Sequence, residues 1–150
     1  MFCNFSIMFY NTCMKSIFNN ELLSEEDAYL LNSLSQAFVG DAVYSLYVRE
    51  HLCSLSTAKS GPLHTETTKY VKATHQAEVL DKIIDSLSER EHSVVRRARN
   101  TKVNNIAKNA SIEEYKKSTA FEALLGYLYL SGQVDRLNEI MLVSVGGFNE

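Results

Sequence analysis

The sequence predicts an all-α protein with a single domain, and three observations support that fold class. Apolar residues recur at steps of three and four along most of the chain, which is the spacing of one helix face. No segment alternates apolar and polar residues in the way that is typical of strands. Only one proline, Pro62, occurs in 150 residues, so few positions oppose a helix. The composition, 45% hydrophobic and 22% charged, is that of a globular protein with a core.

Helix-start signals divide the first half of the chain. Ser24 is placed to cap a helix whose third residue is Asp27. Apolar residues continue from there to about Leu52, as one long helix or as two helices broken near Gly40. The residues "SGP" at 60–62 then predict the start of another helix, which continues to about Leu87.

Similar signals divide the second half. Ser88 and Glu91 have the spacing of a capping box and predict a helix that continues through "VVRRARN". The stretch "TKVNNIAKNAS" lacks any regular period and is predicted to be a loop. The most apolar helix is predicted in "STAFEALLGYLYLSG", ending at Gly132, and a last amphipathic helix is predicted in "VDRLNEIML".

The N-terminal residues differ in composition from the rest of the chain. Residues 1–20 are rich in Phe, Asn and Met without a helical period, and we expect a loosely ordered extension, with Met14 as an alternative start. Residues 21–150 are expected to form the one domain. The stretch lacks the basic region and cleavage site of a signal peptide, and the three cysteines suggest neither a zinc site nor a disulfide framework. We therefore expect a cytoplasmic protein that does not bind membranes.

Two isolated acids occur in the two most apolar helices. Asp41 lies in "FVGDAVYSLYV", and on a continuous helix it is predicted to share the apolar face with Phe38 and Tyr44. The alternative is that Gly40 ends a helix and Asp41 caps the next one. Glu122, in "STAFEALLGYLYL", has the alternative of a capping box with Thr119.

These two helices are expected to pack against each other, which would bring the two acids together. Two carboxylates that face each other across a helix pair can share a divalent cation, and oxygen ligands suit Mg²⁺, with Mn²⁺ as a substitute. A water bound to such a cation is a nucleophile toward phosphate esters. Asp41 and Glu122 are therefore candidate metal ligands and catalytic residues, beside the alternative that both are caps, and no organic cofactor is expected.

A local basic segment contrasts with the formal net charge of −3. Residues 92–109 contain no acid and suit contacts to nucleic-acid phosphates and grooves, unless they are only a solvated helix face. His64, near a helix start, is either a further phosphate contact or a surface residue. The candidate nucleic-acid-binding residues are Arg96, Arg97, Arg99, Asn100, Lys102, Lys108 and His64.

The chain resembles a known family in several blocks taken together: "FVGDAVYSLYVREHL", "GPLHTETTKYVKATHQAEVL", "VVRRARNTK", "KNAS" and "YKKSTAFEALLGYLYLSG". Their order and spacing are similar to those of the Mini-III ribonucleases, the small branch of the RNase III family, over about Ser24 to Leu142. The resemblance implies an all-α, homodimeric catalytic domain without a separate double-stranded-RNA-binding domain. It further implies metal-dependent cleavage of double-stranded RNA to 5′-phosphate and 3′-hydroxyl ends, in the maturation of large-subunit (23S) ribosomal RNA precursors. By position, Asp41 matches the Asp of the G-D signature and Glu122 the Glu of F-E-A.

The chain departs from the wider RNase III pattern at three acidic positions, which are occupied here by Leu34, Ala37 and Thr119. The Mini-III branch is similarly reduced, so the resemblance still implies an active enzyme, with the number of metals left open. The loop "TKVNNIAKN" also differs from the Gly- and Pro-containing loop of the branch.

The resulting hypothesis is a dimeric, metal-dependent endoribonuclease. The apolar surface from Phe121 to Leu130 is predicted to form part of the dimer interface, with Gly126 permitting close approach of the helices. The first alternative is a non-catalytic RNA-binding module of the same fold, and the second is a helical interaction protein in which both acids are caps.

Overall fold

Every regular element of the computed structural model is helical within residues 16–18, 20–102 and 110–146, which are the residues that the structure describes. The α-helices are α1 (Glu25–Leu30), α2 (Ser33–Leu55), α3 (Ser60–Tyr70), α4 (Ala73–Ile83), α5 (Glu89–Arg99), α6 (Ile112–Leu130) and α7 (Val134–Ser144). A short 3₁₀ turn, Ile84–Ser86, follows α4. The all-α prediction is confirmed. None of these helices is both long and apolar enough to cross a bilayer.

Polar caps start several helices because they satisfy backbone N–H groups that have no partner within the helix. Ser24 accepts a hydrogen bond from the Asp27 backbone N–H at 3.1 Å, as predicted. Ser88 and Glu91 form the predicted capping box at the start of α5. A second capping box, between Ser111 and Glu114, starts α6.

Two helix boundaries differ from the prediction. The first long apolar stretch is broken at Leu31 and Asn32, and not near Gly40. The Asn32 side chain accepts a hydrogen bond from the Leu34 N–H at 2.8 Å and so starts α2. The stretch after Ser60 forms two helices, because the backbone becomes extended at Lys72. The turn there contains no Gly or Pro, so the local sequence did not indicate it.

Helix α6 is the central element, and helices α2, α4 and α5 pack around it. Ten of its residues are buried, which explains why the segment is apolar on nearly every face. Its partner across the core is α2, and the rings of Tyr44 and Phe121 meet edge to face with centroids 5.3 Å apart. The predicted pairing of the two most apolar helices is confirmed.

The N-terminal extension predicted for residues 1–20 lies mostly outside the described residues, and so do residues 103–109 of the predicted loop. Gly132 ends α6 as predicted: it has a φ of 70°, in the left-handed region that glycine adopts at little steric cost.

Candidate active site

Two glycines set the distance between α2 and α6. A methyl group on Gly40 would lie 1.7 Å from the backbone carbonyl oxygen of Glu122, and one on Gly126 would lie 1.9 Å from that of Gln36. Neither distance is physically possible, so only glycine permits this crossing. The two backbones are therefore in contact at the point where Asp41 follows Gly40 and where Glu122 lies on the facing helix.

This contact corrects the predicted dimer interface. Gly126 does permit a close approach of helices, but the partner helix is α2 of the same chain. Phe121, Leu124, Leu125 and Leu128 are fully buried in this chain. The apolar segment from Phe121 to Leu130 is therefore mainly protomer core, and only its end, at Tyr129 and Leu130, is partly exposed and able to form part of a dimer interface.

Asp41 is not a helix cap, because α2 continues without a break from Ser33 to Leu55. Its side chain is exposed, so the prediction that it lies on the buried face was wrong. The buried stripe of α2 passes through Ala37, Gly40 and Tyr44, while Phe38 on the adjacent face is 80% exposed. Asp41 lies at the edge of the buried stripe, where a carboxylate keeps its water.

Glu122 is not a capping residue either, because it lies in the middle of α6. The Thr119 hydroxyl donates to the Tyr115 carbonyl oxygen at 3.1 Å, so it is occupied within the helix. The Glu122 side chain is only partly exposed, and it lies between α2 and α4. Both capping alternatives are therefore excluded.

The surroundings of Glu122 alter its ionisation. Burial raises its pKa, and the negative charge of Asp41 raises it further, to about 7. The Gln76 side-chain amide acts in the opposite direction, because a nearby N–H group favours the ionised carboxylate. The influence of Asp41 shows that the two carboxylates are close enough to repel each other.

Two adjacent carboxylates, one partly buried and one exposed, fit a divalent cation. A cation would replace their repulsion with attraction, and carboxylate oxygens are suitable ligands for Mg²⁺, which keeps several of its own waters. Among the residues described, no group of three or more His, Cys, Asp or Glu side chains is arranged to hold a metal. In the described part of the chain, Asp41 and Glu122 are thus the pair of carboxylates that could hold a cation at this site.

The three positions where acids are missing do not supply substitutes. Ala37 and Thr119 are buried, and Leu34 is about half exposed. None of these side chains carries a carboxylate, so fewer acids surround Asp41 and Glu122 than in the wider RNase III pattern.

The exposed part of the basic segment lies beside the face of α6 that is opposite to Glu122. Arg96 and Arg99 line a cavity of about 460 Å³ together with residues at the start of α6, and Arg99 forms an ion pair with Glu113. Glu113 and Glu122 are about two and a half helical turns apart, which places them on opposite faces of α6. The acid pair and this cavity are therefore on different faces of the molecule. The other residues lining the cavity are Ile84, His92, Val95, Asn100 and Lys116.

Arg97 points inward, unlike its neighbours. One of its guanidinium nitrogens donates to the Tyr29 carbonyl oxygen at 2.5 Å, and the group stacks on the Tyr29 ring at 4.4 Å. Arg90 covers the same ring at 4.5 Å. These contacts tie α5 to α1, so the structure gives Arg97 a structural role.

Among the described residues, Lys102 and His64 form no hydrogen bond or ion pair with Asp41 or Glu122. Lys102 is exposed shortly after the end of α5, and Lys108 lies outside the described residues. His64 is exposed on α3.

Sequence reasoning missed Gln76, whose side-chain amide lowers the pKa of Glu122 against the effect of burial. It is 1% exposed on α4. A signal was available, because Gln76, Leu80 and Ile83 follow the spacing of a buried helix face, and a polar residue on that face needs a partner.

Comparison with known proteins agrees with this geometry. The model of the Ribonuclease III domain matches residues 34–133, which include both acids. A Mini-ribonuclease 3 of Thermoanaerobacter sp. is 49% identical over 127 residues, covering 85% of this chain and 89% of that protein. The chain belongs to the Mini-ribonuclease 3 branch of the ribonuclease III family. The resemblance in the sequence is confirmed, and the chain is an endoribonuclease of that family.

Further relatives support this membership. A Mini-ribonuclease 3 of Brevibacillus brevis is 49% identical over 115 residues, which cover 77% of this chain and 86% of that protein. The crystal structure of a Fusobacterium nucleatum protein superposes with a TM-score of 0.74 at 28% identity, covering 81% of this chain and 97% of that one. RNase III family enzymes depend on divalent metal ions, which agrees with the acid pair.

Proposed function

We propose that this Mini-ribonuclease 3 family member cleaves both strands of double-stranded RNA with Mg²⁺ held by Asp41 and Glu122. The observation that carries the proposal is the glycine-mediated contact of α2 with α6, which places two carboxylates together in a chain of the ribonuclease III family. Mn²⁺ is a suitable substitute because it prefers the same oxygen ligands.

The two acids have different tasks in this mechanism. Exposed Asp41 is accessible to a cation and to the RNA backbone. Glu122 has a pKa of about 7, so it releases its proton near neutral pH and completes the ligand pair. When bound, the cation supplies an activated water and stabilises the negative charge that develops on the phosphate. The products proposed are 5′-phosphate and 3′-hydroxyl ends.

A second copy of the chain is needed to cut two strands, since one chain presents one acid pair. We propose that the copies meet through the exposed apolar face of α2, which adjoins the end of the interface predicted from the sequence. Phe38 is 80% exposed there and borders an apolar groove of about 570 Å³ between α2 and α7. An apolar surface of this kind is typical of a protein contact. It lies next to Asp41 on α2, which would bring two active sites near each other.

The polar and basic residues around the cavity beside α5 are proposed to bind the RNA backbone away from the cleavage site. Arg96, Asn100 and Lys116 line the cavity beside α5, and phosphate contacts by such residues fix the position of a duplex. Lys102, Lys108 and His64 remain predicted contacts. We propose the cytoplasm as the location and large-subunit (23S) ribosomal RNA precursors as the substrate, in agreement with the family resemblance.

The experiment is to mix the purified protein with a long RNA duplex, with Mg²⁺ or with EDTA, and to separate the products on a denaturing gel. Cleavage of both strands by the protein in Mg²⁺ but not in EDTA, leaving 5′-phosphate ends, supports the proposal. Duplex binding without cleavage under any metal condition would contradict it and would favour the non-catalytic RNA-binding alternative.

A further inference from the structure

Gln76 is a buried polar residue on α4, the helix that packs against α6 and its Glu122. The residue is 1% exposed, and its side-chain nitrogen Nε2 has no hydrogen-bond partner among the residues described. An unpaired buried donor destabilises the folded state, so most such groups are satisfied in folded proteins. The acceptor on which the Gln76 amide acts is the Glu122 carboxylate across the α4–α6 contact.

Gln36 provides a contrast within the same core. It is also fully buried, but its Nε2 donates to the Ala28 carbonyl oxygen at 2.8 Å and so ties α2 to the end of α1. Gln36 therefore has a structural task that explains its burial. Gln76 has no comparable link between backbone elements through Nε2.

We propose that Gln76 is a positioning residue for Glu122, an inference that rests on the proposed metal site. Its amide N–H donates to the Glu122 carboxylate in the ionised, metal-holding form and fixes the orientation of that carboxylate toward Asp41. Groups that orient a metal ligand affect metal affinity by about 10- to 100-fold when they are removed. The Gln76 donor thus has a partner in the metal-bound state, and its lack of a partner lowers the stability of the metal-free protein.

The test compares Gln76→Met with Gln36→Met, because Met has a similar length and no donor. Mn²⁺ affinity is measured by isothermal titration calorimetry, together with the melting temperature in EDTA and the Mg²⁺ dependence of duplex cleavage. Gln76→Leu repeats the measurements if the Met variant does not fold.

Gln76→Met is expected to weaken Mn²⁺ binding by about 10- to 100-fold and to raise the Mg²⁺ concentration for half-maximal cleavage by the same factor. Its melting temperature should be unchanged or higher, because an unpaired buried donor has been removed. Gln36→Met should do the reverse, with a lower melting temperature and unchanged Mn²⁺ affinity.

Equal Mn²⁺ affinity in the wild type and the folded Gln76 variant would overturn the positioning role while leaving the metal site intact. If the wild type binds no Mn²⁺, or if Glu122→Gln binds it equally well, the proposed metal site itself fails and the role of Gln76 fails with it.

Discussion

Glu122 is the residue whose ionisation is most informative at the scale of single side chains. Its pKa in the folded chain is about 7, and in an unfolded chain it would be near 4.5. Between these values the folded protein holds a proton that the unfolded chain has lost, so stability falls as the pH rises through this interval.

Replacing Glu122 with Gln should remove this dependence in metal-free protein. At pH 8 the variant should be more stable than the wild type by roughly 1–3 kcal/mol, since it carries no buried charge. At pH 5 the two should be nearly equal, because Glu122 is then neutral. Urea unfolding in EDTA at both pH values measures the difference, and equal stability at pH 8 would show that Glu122 is not perturbed.

The neighbours Arg96 and Arg97 allow a matched comparison on α5. Arg96→Ala should weaken binding to an RNA duplex and reduce its salt dependence by about one charge, because an exposed phosphate contact is lost. Arg97→Ala should leave duplex binding unchanged and lower the free energy of unfolding by about 1–3 kcal/mol, since the Tyr29 carbonyl loses the closer of its two donors.

Filter binding across a salt series and urea unfolding separate the two effects. A stability loss in Arg96→Ala, or a binding loss in folded Arg97→Ala, would contradict these assignments.

Both acids were predicted from the sequence because an acid in an apolar helix is conspicuous. The exposure of Asp41 was not predicted, for a physical reason. Helix α2 carries apolar residues on two faces, one buried in this chain and one exposed at Phe38. Periodicity identifies apolar faces but does not say which of them a single chain covers. The inward direction of Arg97 was missed for a related reason, because its partner, Tyr29, is distant in sequence.

At the scale of helices, the α2–α6 crossing holds the site together. Gly126→Ala would place a methyl group 1.9 Å from the Gln36 carbonyl oxygen, so the helices would have to separate. We expect a loss of about 1–3 kcal/mol in the free energy of unfolding, as for overpacked cores, and a loss of cleavage because the acid pair separates.

Gly61→Ala is the control, since a methyl group there meets nothing within 4 Å. It should leave activity unchanged and stability unchanged or slightly higher, because Ala favours helices. Thermal unfolding and the duplex assay measure both variants, and a neutral Gly126→Ala would contradict the close crossing.

Helix starts were well predicted where a capping side chain marks them, as at Ser24 and Ser88. The break between α3 and α4 was not, because its residues are ordinary helix formers and the turn is set by the packing of α4 on α6. Local signals therefore indicated the helices and their order, while one of the boundaries needed by the site depended on tertiary contacts.

At the scale of the whole molecule, the exposed apolar face of α2 predicts a dimer. Phe38→Glu should convert the protein to a folded monomer, because a charge would be buried at the interface. Leu55→Glu is the control: Leu55 is 70% exposed at the other end of α2, outside the apolar groove, and its replacement should leave the dimer intact. Light scattering coupled to size exclusion gives the mass of each, and a monomeric wild type would exclude this interface.

The central claim is that Asp41 and Glu122 together hold the metal that cleaves RNA, and the most direct measurement is duplex cleavage by Asp41→Asn. Asn keeps the size of Asp and removes the charge, and the exposed position should tolerate it without loss of folding. With Mg²⁺ at a concentration that saturates the wild type, we predict that the wild type cuts both strands and that the variant, with an unchanged melting temperature and duplex affinity, cuts neither. Cleavage by folded Asp41→Asn at the wild-type rate would contradict the account.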